Sequence, residues 1–184
     1  MDYVVSDTHF EHGNIIDYCD RPFDSVEEMN EAMVERWNRV VDADDEVLFL
    51  GDFVMPPDLA AFLRWFDRLD GEVVLVAGDH DEVVPHKVDG LDLFEHFQFE
   101  YGDHRFYAVH DPEDAPNNFD GWVLHGHHHN NWPDQFPLVE PDEQWVNCSV
   151  ELLGYEPLAM DDLVELIERG EGGEWIGSLD DVEG

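Results

Sequence analysis

Val73-Val74-Leu75-Val76-Ala77-Gly78-Asp79-His80-Asp81 is an apolar run that stops on a glycine and then sets an acid, an imidazole and a second acid in succession. A valine-rich run of this length, bounded by glycine, reads as a buried strand. Its polar cluster falls at the carboxyl end, where α/β sheets gather their ligands. The same order recurs on both sides of this stretch. Tyr3-Val4-Val5 leads to Asp7-Thr8-His9, and Val47-Leu48-Phe49-Leu50 leads to Gly51-Asp52. Farther on, Arg105-Phe106-Tyr107-Ala108-Val109 leads to His110, and Trp122-Val123-Leu124 leads to Gly126-His127-His128-His129. Five strand ends thus deliver Asp and His residues, and one sheet edge could collect them all.

Between the strands lie helical patterns. Ser25-Val26-Glu27-Glu28 fits a capping box, after which Val26, Met29, Met33, Trp37 and Val40 recur at helical spacing. Leu59, Phe62, Phe66 and Leu69 mark a second amphipathic helix behind Pro56 and Pro57. Asp161 to Arg169 reads as a closing helix ended near Gly170. The second half reads as more antiparallel, with Phe97–Tyr101 and Arg105–Val109 flanking a Gly102-Asp103 turn, and with a strand over Trp145–Val150. Strands alternating with helices predict an α/β or α+β fold. A single domain over residues 1–170 is expected, with an acidic, Gly-rich tail over 171–184.

Composition narrows the setting. A chain of 184 residues with 43% hydrophobic and 12% aromatic content can bury a sizeable core. Forty-six Asp and Glu against eight Lys and Arg give a formal net charge of -38, spread along the whole chain. Such self-repulsion destabilises a compact state in dilute salt. At roughly 1 M salt the Debye length shrinks to about 3 Å and the repulsion is screened. The composition is therefore that expected of an intracellular, halophilic protein. It offers no basic surface for long nucleic acid. Cys19 and Cys148 are too few for a disulfide framework and are expected to be reduced and buried. Neither a signal sequence nor an apolar run of about 20 residues is evident, so a cytoplasmic location without membrane contact is expected.

Taken singly, Asp-x-His, Gly-Asp or a lone histidine is an ordinary turn or core feature; the ordered set carries the specificity. Mixed imidazole and carboxylate donors suit Mn, Fe, Zn, Co or Ni, and one carboxylate can bridge two ions. Paired ions activate water and stabilise charge on a transferring phosphoryl group. The ordered set resembles the calcineurin-like metallophosphoesterase superfamily, whose pattern is D-x-H, G-D, G-N-H-D or G-N-H-E, a single H, and G-H-x-H. Ser6-Asp7-Thr8-His9-Phe10 with His12, Asn14, Ile15 and Ile16, then Arg21-Pro22-Phe23, Met29-Asn30 and Trp37-Asn38, is similar to a subgroup of small prokaryotic and phage members. The resemblance spans about residues 3 to 160.

The resemblance implies a four-layer α-β-β-α sandwich of two mixed sheets flanked by helices. It also implies a phosphoesterase that hydrolyses mono- or diesters by attack of a hydroxide bridging two divalent ions, Mn foremost, with Fe, Zn, Ni or Co as options. Asp7, His9 and His129 would hold the first ion, and Asp79, His110 and His127 the second. Asp52 would bridge them. His80, helped by Asp81, would protonate the leaving group. His12, Asn14 and Arg21 are expected at the substrate, though Arg21 could equally form a structural ion pair. His125, His128 and Asn130 would support the ligands. Asp79 departs from the usual Asn and adds one negative charge, which should tighten cation binding and oppose an anionic phosphate. A small phosphate ester or nucleotide is the expected substrate, with a nucleic-acid end possible but disfavoured by charge, and a homodimer is compatible with the sequence. The alternative is a catalytically silent scaffold of the same fold, which usually lacks the residue at His80 or several ligands.

Overall fold

Each apolar run meets its neighbours through backbone hydrogen bonds, and the order of those neighbours builds two sheets. A computed structural model describes residues 1–82, 84 and 91–170; the expected acidic tail lies outside them. The first sheet contains β1 (Tyr3–Val5), β2 (Glu46–Phe49), β3 (Glu72–Val76), β4 (Leu91–Phe94) and β10 (Leu158–Ala159), in the order β10-β1-β2-β3-β4. Here β1 to β4 run parallel and β10 is an antiparallel edge. The second sheet contains β5 (Phe97–Tyr101), β6 (His104–Ala108), β7 (Trp122–His125), β8 (Val139–Glu140) and β9 (Trp145–Asn147), in the order β5-β6-β7-β9-β8. The fold is the expected mixed α/β type with two mixed sheets.

The second sheet is less antiparallel than its strand pattern implies. The β5–β6 hairpin forms in the expected register, Phe99 opposite Phe106, but β7 runs parallel to both β6 and β9. The reason lies in the connections. Residues 109–121 separate β6 from β7, enough chain for a crossover, whereas an antiparallel neighbour is reached by a tight turn. The last expected strand also stops early: β9 ends at Asn147, and Ser149 leaves it to bridge Ser6 of the other sheet.

Four α-helices and a 3₁₀ turn (Pro112–Asp114) complete the described fold: α1 (Gly13–Tyr18), α2 (Val26–Val40), α3 (Leu59–Phe66) and α4 (Met160–Arg169). Ser25 caps α2 by accepting from the Glu28 N–H, while Glu28 accepts from the N–H of Asp24 rather than of Ser25. Met29, Met33 and Trp37 form the buried stripe of α2. Gly170 closes α4 in the left-handed region at φ 62°. Val4, Leu48 and Val74 of the first sheet join Phe106, Leu124 and Val146 of the second in one buried cluster with Trp37 and Phe62. Burying each large side chain stabilises by about 1.5–3 kcal/mol. That apolar cluster fixes the spacing of the loops at the strand ends. Among the described residues no helix is long and apolar enough to cross a membrane.

Candidate metal centre

Because β1, β2 and β3 are parallel, Asp7, Asp52 and Asp79 leave the first sheet at one edge. The parallel pair β6–β7 brings His110 and His127 to the corresponding edge of the second. The two edges are tied together. Asp7 N–H donates to Gly51 O at 3.0 Å and His9 N–H to Asp52 O at 3.0 Å. Val150 N–H donates to Ser6 O at 3.1 Å, and Ser149 Oγ donates to the Asp7 carboxylate at 3.0 Å.

Backbone strain marks the same loops. Asp7 (φ 59°), His9 (φ 49°), Asp52 (φ 61°), His127 (φ 69°) and His129 (φ 50°) all lie in the left-handed region. That region costs an L-residue roughly 1–2 kcal/mol, and such outliers cluster at functional sites. The glycines are steric requirements of the same packing. A Cβ on Gly78 would stand 2.4 Å from Asp52 Oδ1, and one on Gly126 would stand 2.0 Å from Ser6 Oγ and 2.3 Å from Asp7 Oδ2. Gly126→Ala is therefore expected to destabilise the fold by about 1–3 kcal/mol and to displace Asp7. Thermal unfolding together with metal titration would measure both effects.

The seven expected ligands converge. Asp7, His9 and His129 present donor atoms within 4.8 Å of one another, as do Asp79, His110 and His127. Asp7, Asp52 and His110 form a third such group that overlaps the other two. Asp52 Oδ2 stands between the outer groups, 3.4 Å from His9 Nε2 and 3.5 Å from His110 Nε2. His129 Nε2 lies 3.7 Å from Asp7 Oδ1, and His127 Nδ1 lies 3.5 Å from Asp79 Oδ2. His9 is only 2% exposed, yet neither of its ring nitrogens has a hydrogen-bond partner. A buried imidazole left unpaired is costly, and a cation held between His9 and the neighbouring carboxylates would satisfy it. The residues fit a divalent ion on this ground.

Partners behind the histidines set which nitrogen faces inward. Leu50 O accepts from His110 Nδ1 at 2.7 Å, and Glu151 Oε1 accepts from His129 Nδ1 at 3.0 Å. Both rings therefore turn Nε2 toward the carboxylates, the arrangement that supports metal-ligating histidines. For His127 the roles reverse, with Nδ1 inward and Nε2 3.8 Å from Asp111 Oδ2.

Burial pushes the imidazole of His9 well below its ordinary range. Burial also acts to lower His110, but hydrogen bonding to Asp52 and the charge of Asp7 more than reverse this, raising it to about 10. At His129 the charges of Asp7 and Glu151 overcome burial and raise it to about 11. Raised values mean that the metal-free fold has the full stabilisation from these protons below the ordinary imidazole range near 6.5, and loses it progressively as pH rises from there through 10 to 11. Cations must displace these protons. Loading with Mn at pH 7 is expected to release about two protons, one per imidazole. Calorimetry in buffers of different ionisation enthalpy would count them.

Several residues stand elsewhere than their expected roles require. Asp81 does not orient His80. Its buried carboxylate accepts instead from the N–H groups of Asp52 (2.7 Å), Gly78 (2.8 Å) and Phe53 (3.1 Å), pinning two ligand loops together. Arg21 is not at a substrate mouth: its side chain is 0% exposed and paired with Glu151, the structural ion pair that was its alternative. His80 is half-exposed, with Nε2 3.9 Å from Asp52 Oδ2. The His12 ring sits 5.3 Å from that of His9, and Asn14 is exposed on α1. His125 is a core histidine against Phe136 and Trp145, pushed down to about 3 by burial. His128 stacks on Phe136, and Asn130 donates to the carbonyl of Cys19. Both cysteines are free and buried, as expected.

Sequence reading missed Glu151, Asp111, Ser149 and Asn147. Asn147 Oδ1 lies 2.7 Å from Ser149 Oγ and shares its single hydroxyl proton with Asp7. Glu151 had a signal: an acid inside the apolar run Val150-Glu151-Leu152-Leu153 is a buried charge in need of partners.

Parallel strands of two sheets bring carboxylates and imidazoles to facing edges, which defines an α/β domain with a candidate metal centre. The chain belongs to the calcineurin-like phosphoesterase superfamily, whose domain model matches residues 3–136. An uncharacterized protein of Methanocaldococcus jannaschii is 42% identical over 171 residues, covering 91% of this chain and 92% of that one. The crystal structure of a protein of unknown function from Aquifex aeolicus shares the fold, with a TM-score of 0.67 at 23% identity over 90% of this chain and 98% of that one.

Proposed function

We propose that this protein is a dinuclear metal-dependent phosphoesterase acting on a small phosphate ester. The observation that carries the reading is the placement of the Asp52 carboxylate between two sets of ligand atoms, facing His9 on one side and His110 on the other. Asp7, His9 and His129 would hold one ion, Asp79, His110 and His127 the other, and Asp52 both. When bound, the ions would polarise the phosphoryl oxygens and lower the pKa of water. Mn is the first choice for this donor set, with Fe, Zn, Ni and Co next.

The chain's own contribution is orientation and a proton. Leu50 and Glu151 hold the His110 and His129 rings in fixed tautomers, while Asp111 faces His127 Nε2 at 3.8 Å, beyond hydrogen-bond reach. His80 faces Asp52 from a half-exposed position and would give a proton to the leaving oxygen. Every described arginine is held by a carboxylate or a backbone carbonyl. Substrate phosphate would therefore meet its positive charge at the centre itself, which favours esters of low charge over long nucleic acid.

The test is hydrolysis of p-nitrophenyl phosphate and bis-p-nitrophenyl phosphate in high salt with Mn, Co, Ni or Zn. Metal-dependent turnover of either is the expected result. Absence of turnover of both, by protein shown to bind two ions, would reject the reading. We further propose that the protein works in concentrated salt. Its net charge of -38 predicts a melting temperature that climbs as KCl is raised toward about 1 M, where screening is nearly complete. A flat or falling curve would contradict this.

A further inference from the structure

Arg21 and Glu151 are 130 residues apart in sequence and meet in the interior, with side chains 0% and 1% exposed. Burying two opposite charges costs desolvation that their attraction barely recovers, so such a pair is a poor source of stability. Its contacts point to another use. One oxygen, Glu151 Oε1, accepts from Arg21 Nε at 2.9 Å, from Arg21 Nη2 at 2.6 Å and from His129 Nδ1 at 3.0 Å. The rest of the guanidinium fork faces the first ligand loop, where Nη2 donates to Asp7 O at 2.8 Å and Nη1 to Thr8 O at 2.8 Å. Asp7 is itself in the left-handed region. A single rigid fork thus clamps the backbone that carries Asp7 and His9, and through Glu151 it fixes the ring of His129.

We propose that Arg21 and Glu151 are positioning residues for the first cation site, holding Asp7, His9 and His129 in ligating geometry before any ion arrives. The second group has a different support. Its outward partner, Asp111, is 30% exposed, and Asp79 is 67% exposed. The pair therefore serves one site of the two, and its loss is felt at that site. Arginine is required for the bidentate reach; lysine would keep the charge and lose the fork. This assignment rests on the reading that the chain binds two cations.

The experiment is Mn titration of the full-length wild type, Arg21→Lys, Glu151→Gln and the double variant Arg21→Met/Glu151→Leu, with hydrolysis of p-nitrophenyl phosphate measured in parallel. The double variant removes both charges of the Arg21–Glu151 pair together, and leaves His129 with Asp7 as its remaining charged neighbour. In each variant the tighter or the weaker of the two binding steps, whichever Asp79→Asn leaves unchanged, is expected to weaken by about 10–100-fold. The step that Asp79→Asn does alter should keep its wild-type constant. Should the double variant not fold, Arg21→Lys and Glu151→Gln decide by the same criterion. Folded variants that bind both ions with wild-type constants would overturn the proposal and leave the phosphoesterase reading standing. A wild type that binds no ions would instead overturn that reading.

Discussion

Asp52→Asn is expected to weaken binding of the ion pair by more than about 100-fold, since even the outer partners of metal ligands reach that size. The substitution is close to isosteric. Asn tolerates the left-handed backbone that Asp52 adopts at φ 61°, and its amide oxygen can still accept from the His80 N–H, as Asp52 Oδ1 does at 2.9 Å. What it loses is the anion between His9 Nε2 and His110 Nε2, at 3.4 Å and 3.5 Å. Two divalent ions side by side repel strongly unless a negative charge lies between them. Calorimetric Mn titration of folded, metal-free variant is the measurement. Two ions bound with wild-type constants would mean that Asp52 does not bridge, and the dinuclear arrangement would have to be redrawn.

Substitution of His80 by Gln is expected to separate substrates by their leaving groups. A positioned general acid contributes about 10²–10⁴-fold where the leaving oxygen needs a proton. Alkyl phosphates should lose that factor in kcat. p-Nitrophenyl phosphate should lose little, because nitrophenolate departs as a stable anion. The geometry supports the role, since the His80 backbone is anchored on Asp52 Oδ1 while its ring remains half-exposed with Nε2 3.9 Å from Asp52 Oδ2. Asp81 is spent on three backbone N–H groups, so Asp52, and not Asp81, is the acid that faces the ring. An equal loss on both substrate types would assign His80 to binding the phosphoryl group instead, and no loss on either would remove it from the reaction.

Much of the architecture was legible because local chemistry dictates it. Val73–Ala77 can be little else than a buried strand, and Ser25 before Glu28 announces the start of α2. Short elements escaped. Leu91–Phe94 carries Asp92 and only four residues, and Leu158–Ala159 only two, too few for either periodicity to register. The direction of β7 escaped for another reason: strand pairing is a contact between distant segments, and a strand's own sequence does not record which way its neighbour runs.

The Asp and His clusters stood out in the sequence because they follow apolar runs, and the family resemblance sorted the seven candidate ligands from their neighbours; the close loop contacts at Gly78 and Gly126 appeared only in three dimensions. Composition, strand ends and the order of the motifs were set by the chain itself, through burial and backbone sterics that act over a few residues. Only the tertiary structure decided the direction in which each side chain works. It turned Arg21 inward to Glu151, 130 residues away, gave His129 its inward nitrogen, and moved Asp81 from the reaction to the scaffold. The physical reason is that a buried polar group takes whatever partner folding brings within about 3 Å, and that distance is fixed by how two sheets pack rather than by the neighbours of any one residue.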